Sequence, residues 1–90
     1  MTHHYARLHK RDPKRNQYRY YLLDVQPNLF GTWSLIREWG RIGRPGQVRI
    51  DLCDSLDEAA RAFEGKRLQK QRRGYADSVT IGDVNPLPTR

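Results

Sequence analysis

The stretch from residue 32 to residue 53, TWSLIREWGRIGRPGQVRIDLC, holds two runs of strand-forming residues on either side of a glycine-rich bend. Aliphatic and aromatic side chains recur along both runs, and such residues favour extended backbone. The sequence therefore predicts one strand over Thr32–Ile42 and another over Gln47–Cys53. Because the bend between them is short, we expect the two strands to pair as an antiparallel hairpin.

The bend itself has the composition of a tight turn. Pro45 presets the backbone dihedral φ that the second position of a turn requires, and Gly46 supplies the positive φ of the third position of type II. We therefore expect a type II turn over Arg44–Gln47. Gly43, just before it, permits a bulge.

Another strand is predicted on the N-terminal side, over Tyr18–Val25 (YRYYLLDV). Apolar side chains occur at both alternating positions of this run, which indicates a central strand covered at least partly on each face. Residues 5–10 are predicted as a short strand, and the charged residues 11–16 as the turn between the two. Pro27 and Asn28 end the aromatic run.

One long helix is predicted over Leu56–Arg73. Ser55 and Glu58 have the spacing of a capping box, in which the hydroxyl accepts a backbone hydrogen bond and the carboxylate reaches back. Gly74 is placed to cap the other end. The stripe that packs on a sheet consists of Leu56, Ala59, Ala60 and Phe63. The predicted fold class is α+β, a small antiparallel β-sheet of about four or five strands with this helix packed against it.

Two basic residues share the apolar side of this helix. At 100° per residue, Arg67 and Lys70 project on the same side as Ala59 and Phe63. One interpretation is that the helix extends past the sheet, so that long aliphatic stems cover apolar surface while the charges reach solvent. The other is that Lys70 is directed into a site where helix and sheet meet.

Positive charge dominates the composition. The 90 residues contain 17 Lys and Arg against 10 Asp and Glu, a formal net charge of +7. The excess lies in two clusters, at residues 7–19 and 66–73, whereas acidic residues concentrate at positions 51–64. Clustered positive charge favours a polyanionic partner, most often nucleic acid. The alternative is a basic surface that serves only solubility.

Several functional classes find no support in the sequence. Cys53 is the only cysteine, which excludes a disulfide or a thiolate zinc site within one chain and fits a cytoplasmic setting. In the predicted alternating strand we expect it to be a small core residue. No run is long and apolar enough for a membrane span or a secretory signal. His3, His4 and His9 lie near a chain start expected to be mobile, and no carboxylate cluster is spaced to share a metal with them. We expect no enzyme activity and no cofactor.

The hairpin presents an aromatic residue between two cations. On the predicted strand one face carries Trp33, Leu35, Arg37, Trp39 and Arg41, a series that begins apolar and ends charged. Such a strand leaves the core and enters an open site. Trp39 then offers a flat surface for stacking on a base or sugar, and its arginine neighbours offer donors to phosphate. The alternative is that Trp39 is a core or edge tryptophan packed under an arginine stem.

These residues resemble the WGR domain, named for the tripeptide here at positions 39–41. The similarity runs from Tyr18 to Tyr75 and includes FGTWSLIREWGRIGRPGQ, the helical AFEGKRLQKQRR and the following Gly-Tyr pair. It implies an antiparallel sheet with one long helix, as predicted above. Residues 1–90 are then a single domain with its motif-bearing core at about 16–75 and a C-terminal tail at 76–90. Whether this tail adds an edge strand stays open, and Asn85–Arg90 is expected to be unstructured or loosely docked.

WGR domains occur in DNA-damage-responsive poly(ADP-ribose) polymerases, where they bind DNA near strand breaks, and in short bacterial proteins, which this chain resembles more. By position, the resemblance makes Trp39 the residue that packs on sugar at a terminus and Lys70 the helix lysine directed at phosphate. Arg41 becomes a contact to the DNA backbone or to a partner, and Asn16 matches a polar position before the aromatic strand. Four further candidate DNA-binding residues rest on the sequence pattern. Arg37 flanks the indole as a phosphate donor, Gly40 eases close approach, and Arg44 and Gln47 are placed by their location on the neighbouring turn.

The sequence thus favours a non-enzymatic DNA-binding module that contacts the sugar–phosphate backbone, at strand ends or breaks, with little sequence preference. An alternative is a protein-interaction module for an acidic partner in a DNA-related complex. RNA binding is a further alternative that the residues do not separate from DNA binding. We expect a cytoplasmic or nucleoid-associated location and no membrane contact.

Overall fold

A computed structural model describes residues 4–81, which form five β-strands, one α-helix and a short 3-10 turn. The elements in chain order are β1 (Tyr5–Asp12), the 3-10 turn (Pro13–Arg15), β2 (Gln17–Pro27), β3 (Trp33–Arg41), β4 (Gln47–Cys53), α1 (Leu56–Arg72) and β5 (Ala76–Ile81). This confirms the predicted α+β class and the helix over nearly its whole predicted length.

The strands form one antiparallel sheet in the order β4-β3-β2-β1-β5. The aromatic strand β2 lies at the centre, as its two apolar faces indicated. In the β2–β3 pair, Tyr21 lies opposite Trp39 and Val25 lies opposite Leu35. The N-terminal half of the chain therefore places aromatic residues beside the Trp-Gly-Arg tripeptide.

The core lies between the helix and one face of the sheet. Phe63 and Ala59 of α1 are fully buried against Leu8, Leu23 and other strand residues of that face. Cys53 is buried in the same cluster, which confirms its predicted core role. We call this face the helix side and the uncovered face the rear side.

The two ends of the helix are capped as the sequence indicated. The Glu58 N–H donates to the Ser55 hydroxyl at 3.1 Å, and the Glu58 carboxylate accepts from the Asp54 N–H at 2.9 Å. At the C-terminus, Gly74 has φ of +97°, a conformation that glycine adopts without penalty.

Among residues 4–81, no helix combines the length and apolar character that a membrane crossing requires.

The bend between β3 and β4 differs from the type II turn predicted over Arg44–Gln47. The Arg44 N–H donates to the Arg41 carbonyl at 3.1 Å, so the turn spans Arg41–Arg44, and Gly43 provides its positive φ of +87°. Gly46 has no positive φ. Its small size serves a close approach instead, because a Cβ there would overlap the Trp39 carbonyl oxygen.

The structure also revises two predictions, one about each end of the chain. His4, expected in a mobile start, is 4% exposed, and its ring lies 5.5 Å from that of Phe63. The open question about the tail is answered for residues 76–81, which form the edge strand β5 against β1. His3 and the Asn85–Arg90 segment lie outside the described residues.

Strand β5 also explains one of the two unusual helix positions. Arg67 is only 7% exposed and donates hydrogen bonds to Glu64 and to Asp77 of β5. Burial would lower the pKa of Arg67, but the hydrogen bond to Glu64 outweighs it and raises that pKa above its ordinary value. Arg67 is therefore a structural cation that joins the helix to the edge strand.

A Gly65→Ala variant is expected to be more stable than the wild type by about 0.8 kcal/mol, because glycine is a poor helix former. Gly65 lies inside α1, and a Cβ there meets no atom within 4 Å. Urea denaturation followed by circular dichroism measures the difference. A loss of stability would show that this helical turn packs more tightly than the structure indicates.

Candidate functional site

Three aromatic side chains extend the core to the rim of the helix side. The Trp39 and Tyr21 rings meet edge to face, with centroids 5.8 Å apart at 87°. Tyr75, just after the helix, has its ring 6.4 Å from that of Tyr21. Tyr21 is buried, whereas Trp39 and Tyr75 remain partly exposed. Part of the indole is therefore accessible at the edge of the core.

Lysine side chains surround this aromatic rim. The Lys70 ammonium lies 4.6 Å from the Tyr21 ring centroid and 5.7 Å from that of Tyr75. The Lys10 ammonium lies 5.9 Å from the Tyr75 centroid. Electron-rich ring faces attract such cations, so the two tyrosine rings hold the ammonium groups at the rim. We call Trp39, Tyr21, Tyr75, Lys70 and Lys10 the rim cluster.

The C-terminal cap of the helix builds one side of the rim cluster. The Tyr75 N–H donates to the Lys70 carbonyl at 3.1 Å, and the Gly74 N–H donates to the Gln71 carbonyl at 3.0 Å. This pair of bonds is the Schellman pattern, which reverses the chain after the helix. The reversal brings the Tyr75 ring back over the Lys70 side chain. Gly74 also leaves room for Lys10, whose Cε would lie 3.3 Å from a Cβ at that position.

The charge of Lys70 is not compensated within the described residues. Burial lowers the pKa of Lys70, and the nearby cations Arg73, Lys66 and Arg37 lower it further. Among residues 4–81, no carboxylate forms an ion pair with it. An anion bound beside Lys70 would favour its charged form. The rim cluster thus has the electrostatic character of an anion-binding surface.

Arg37 is held more tightly than an open phosphate donor would be. Its guanidinium lies 5.8 Å from the Trp39 ring centroid and donates to the Tyr21 hydroxyl at 3.3 Å. Its Nε also lies 2.8 Å from the Asp51 carboxylate. Burial would lower the pKa of Arg37, but the hydrogen bonds to Tyr21 and Asp51 raise it. Arg37 therefore orients the two aromatic rings while its charge is already paired.

Arg41 and Asn16 form a second, exposed group at the end of the sheet. The two Arg41 Nη atoms donate to the backbone and side-chain oxygens of Asn16, each at 3.4 Å. The Arg41 guanidinium lies 5.4 Å from the Tyr18 ring centroid. Asn16 has a left-handed φ of +55°, which turns the chain from the 3-10 segment into β2. Arg41 is thus positioned by its neighbours but exposed to solvent.

The other candidate residues lie on different surfaces. Gln47 is exposed and lies opposite Trp39 in the β3–β4 register, so the structure places it beside the indole. Gly40 leaves space on the rear side, where a Cβ would lie 2.9 Å from the Gly46 Cα. Arg44 lines a recess on that rear side together with Arg7 and is not brought to the rim cluster.

A comparison with protein-family models places this arrangement in a known family. The WGR domain model matches residues 4–81. The chain belongs to the WGR family. WGR domains are binding domains, known from poly(ADP-ribose) polymerases as nucleic-acid-binding modules.

Two curated proteins resemble this WGR domain. The uncharacterized protein y4dW of Sinorhizobium fredii (strain NBRC 101917 / NGR234) is 45% identical over 64 residues, which cover 71% of this chain and 31% of that protein. The human protein mono-ADP-ribosyltransferase PARP3 is 24% identical over 70 residues, covering 78% of this chain and 13% of the transferase. The chain therefore spans less than a third of either relative. Comparison with solved structures gave no significant match.

The sequence interpretation of this WGR domain missed three members of the rim cluster. The sequence pattern assigns Tyr21 only to the central strand, Tyr75 only to the Gly-Tyr signature and Lys10 only to a charge cluster. Lys10 had a usable signal, because Ala6, Leu8 and Lys10 alternate along one face that begins apolar and ends charged. The same pattern had identified Trp39 and Arg41 on β3.

Among residues 4–81, no group of three or more His, Cys, Asp or Glu side chains is arranged to hold a metal.

Proposed function

We propose that this WGR domain is a non-enzymatic module that binds DNA through its sugar–phosphate backbone, at strand ends or breaks, with little sequence preference. The supporting observation is the rim cluster, where the partly exposed Trp39 indole and the Lys70 ammonium both pack against Tyr21 and no carboxylate pairs with Lys70 among residues 4–81. An aromatic surface with uncompensated cations is the combination that binds nucleic-acid chains without reading their sequence.

The chemistry assigns a distinct role to each group. The Trp39 ring stacks on the sugar or base exposed at a terminus, where no neighbouring nucleotide competes for the space. Lys70 and Lys10 contact phosphate oxygens near the indole, and Arg41 contacts the backbone further along. Arg37 keeps the Trp39 and Tyr21 rings oriented. Gln47, which lies opposite Trp39 in the sheet, donates a hydrogen bond to the DNA strand beside the indole.

The lack of sequence preference follows from how the helix is used. The apolar stripe of α1 is buried against the sheet, with Ala59 and Phe63 both fully covered. With that face committed to the core, the proposed contacts are those of Lys70 with phosphate and of the Trp39 ring with a terminal nucleotide, and neither reads base edges. We propose a cytoplasmic, nucleoid-associated setting, in keeping with a DNA partner.

End recognition predicts that linear duplex binds about tenfold more tightly than closed circular duplex of the same sequence, because stacking on a terminal nucleotide contributes about 1–3 kcal/mol. Trp39→Ala should remove this preference. Competition binding with labelled duplex measures it.

The matched control is Trp33→Ala, which removes the other partly exposed indole from the same strand and the same face. This variant should keep the preference for linear duplex. Equal affinity of the wild type for linear and circular DNA would contradict end recognition. Preferential binding of RNA, or retention of a protein partner in the presence of excess DNA, would favour the alternative functions.

A further inference from the structure

Strand β4 forms a free edge of the sheet. It lies at one end of the strand order, and among residues 4–81 no strand pairs with its outer side. Its pairing with β3 runs without a register shift from Gln47 to Cys53, and the strand contains no proline or glycine. A regular edge of this kind presents backbone N–H and C=O groups to which another strand can bond.

The opposite edge of the sheet is less suited to pairing. Strand β5 pairs with β1 through a register shift between Arg7 and Leu8. Such a bulge increases the local twist, which is one way in which proteins keep an edge from pairing with another chain. Of the two edges, β4 is therefore the one that offers a regular template.

One side of β4 carries an exposed apolar stripe. Val48, Ile50 and Leu52 are 59%, 57% and 69% exposed. They alternate with residues that point to the helix side, where Cys53 is buried, so the stripe lies on the rear side. Exposed apolar side chains in a row commonly mark an interaction site, and at a sheet edge they can pack against the same row of a second strand.

The other side of β4 carries one cation and one anion. The Arg49 Nε lies 3.3 Å from the Asp51 carboxylate, and the Arg49 side chain is 67% exposed. Arg37 binds the same carboxylate at 2.8 Å. Arg49 and Asp51 flank Ile50, the middle residue of the strand. This symmetric placement of opposite charges makes the strand complementary to an antiparallel copy of itself.

One antiparallel register satisfies both sides of the strand. With Ile50 opposite Ile50 of a second copy, Arg49 of each copy lies opposite Asp51 of the other. On the rear side, Val48 then lies opposite Leu52. The two strands overlap over all 7 residues, and alternating pairs exchange about six to eight backbone hydrogen bonds. A shift by two residues would instead place Arg49 opposite Arg49 or Asp51 opposite Asp51, and like charges directly opposite are destabilising.

The inner strands disfavour a face-to-face stacking of two rear sides. Their rear side carries Asp24 and Glu38, and Arg7 of β1 lies on the same side. A stacked arrangement would enclose these charges, and their desolvation is costly. Pairing of the β4 edges leaves the inner strands as they are.

We propose that two copies of this WGR domain pair antiparallel through β4, with a two-fold axis at Ile50, and form one continuous sheet. The contact is isologous, because each copy contributes the same strand. No residue of the rim cluster lies on β4, so the contact does not use the rim cluster. A single strand pair buries less surface than a standard interface, so the dimer is weak and forms at high protein concentration.

Sedimentation equilibrium of the protein without DNA tests the pairing. The wild type should exceed the monomer mass at millimolar concentration. Arg49→Asp brings two carboxylates opposite each other and should stay monomeric, and Asp51→Arg does the same with two guanidinium groups. An equimolar mixture of the two variants should form a heterodimer, because each variant carries the charges that the other lacks.

Two further variants control for net charge and folding. The double variant Arg49→Asp/Asp51→Arg keeps the wild-type net charge and should dimerise as the wild type does. It also places a carboxylate opposite Arg37, because position 49 faces Arg37 in the β3–β4 register. Arg61→Asp makes the same charge change as Arg49→Asp on the exposed surface of the helix and should behave as wild type. Circular dichroism checks that each variant is folded.

A wild type that stays monomeric at millimolar concentration would overturn the proposal. So would dimerisation of Arg49→Asp at the wild-type level, a folded double variant that stays monomeric, or a mixture of the two folded single variants that forms no heterodimer.

A cysteine placed at the two-fold axis tests the register independently. Facing Cα atoms of an antiparallel pair are about 5 Å apart, a distance that a disulfide spans. At the same high protein concentration, Ile50→Cys should oxidise to a covalent dimer about tenfold faster than Val79→Cys, because pairing raises the effective concentration of the two thiols. Val79 is 43% exposed on the rear side of β5, and the native Cys53 is buried. Non-reducing gel electrophoresis measures the two rates, and equal rates would contradict pairing at Ile50.

Discussion

A Gly46→Ala variant is expected to lose about 3 kcal/mol of unfolding free energy, near the upper end of what overpacking costs. A Cβ at this position would overlap the Trp39 carbonyl oxygen and lie 2.5 Å from the Tyr20 hydroxyl. Neither atom moves easily, because the carbonyl oxygen belongs to the β3 backbone and the hydroxyl belongs to Tyr20, which is only 6% exposed. For a domain of this size the melting temperature should fall by roughly 15 °C. Thermal and urea unfolding measure the change.

Gly43→Ala is the matched control for this variant. It lies in the same bend, and an added Cβ meets nothing within 4 Å, but its φ of +87° disfavours any side chain. The expected cost is therefore only the left-handed conformation, about 1 kcal/mol. If both variants lost the same small amount, the close approach between Gly46 and Trp39 would be wrong.

Gly46 also shows why the turn was predicted at the wrong place. A Pro-Gly pair is a strong local turn signal because glycine permits the positive φ that a type II turn requires. In the structure this glycine is required because the backbone of the bend approaches β3, an interaction between residues seven positions apart. The left-handed position is taken by Gly43, which was expected to permit a bulge. The composition predicted a turn correctly, and only the tertiary contact fixes its register.

Interactions within one element were predictable, and interactions between distant elements were not. The helix caps at Ser55 and Gly74 depend on neighbours within four residues, and both were confirmed. The buried position of Arg67 depends on Asp77, which only the pairing of β5 with β1 brings within reach. Because the sequence leaves open whether residues 76–90 add a strand, it does not predict that Asp77 lies beside the helix.

The residues of the candidate site also divide into those that the sequence predicts and those that depend on contacts between distant elements. Trp39 and Lys70 were predicted to lie at the rim where helix and sheet meet, and the structure places both against Tyr21. Lys10 and Tyr75 join them only through the strand register and the reversal after the helix, which no short sequence pattern encodes. The pairing of Arg37 with Asp51 likewise crosses from β3 to β4. The contribution of each of these residues to DNA binding stays a prediction.

Lys70→Gln is expected to weaken DNA binding about tenfold at low salt, because hydrogen bonds to a charged group contribute about 1.5–3 kcal/mol. If the wild type engages about three to five phosphates, its log affinity should fall with log salt at a slope of roughly −3 to −4.5. The variant should show a slope less negative by about 0.9. Fluorescence anisotropy with a short blunt duplex across a salt series measures both quantities.

The stability of the Lys70→Gln variant should change by less than about 1 kcal/mol, because two effects oppose each other. The substitution removes the attraction between the ammonium and the Tyr21 ring. It also removes a charge whose pKa is lowered by burial and by Arg73, Lys66 and Arg37, so a neutral residue relieves an electrostatic cost at neutral pH. That cost fades for the wild type as pH rises through the lowered pKa, and the stability of the wild type should therefore increase relative to the variant in alkaline solution.

Arg61→Gln distinguishes a specific contact from a change in net charge. Arg61 is an exposed cation of the same helix, and nine residues, or two and a half turns, place it on the side opposite Lys70. Both variants lower the net charge by one, so a purely long-range attraction would weaken binding equally in the two. A contact between Lys70 and phosphate requires that only Lys70→Gln change the salt slope. Equal slopes for both variants, or a nearly flat salt response of the wild type, would remove the rim cluster as the anchor for the DNA backbone.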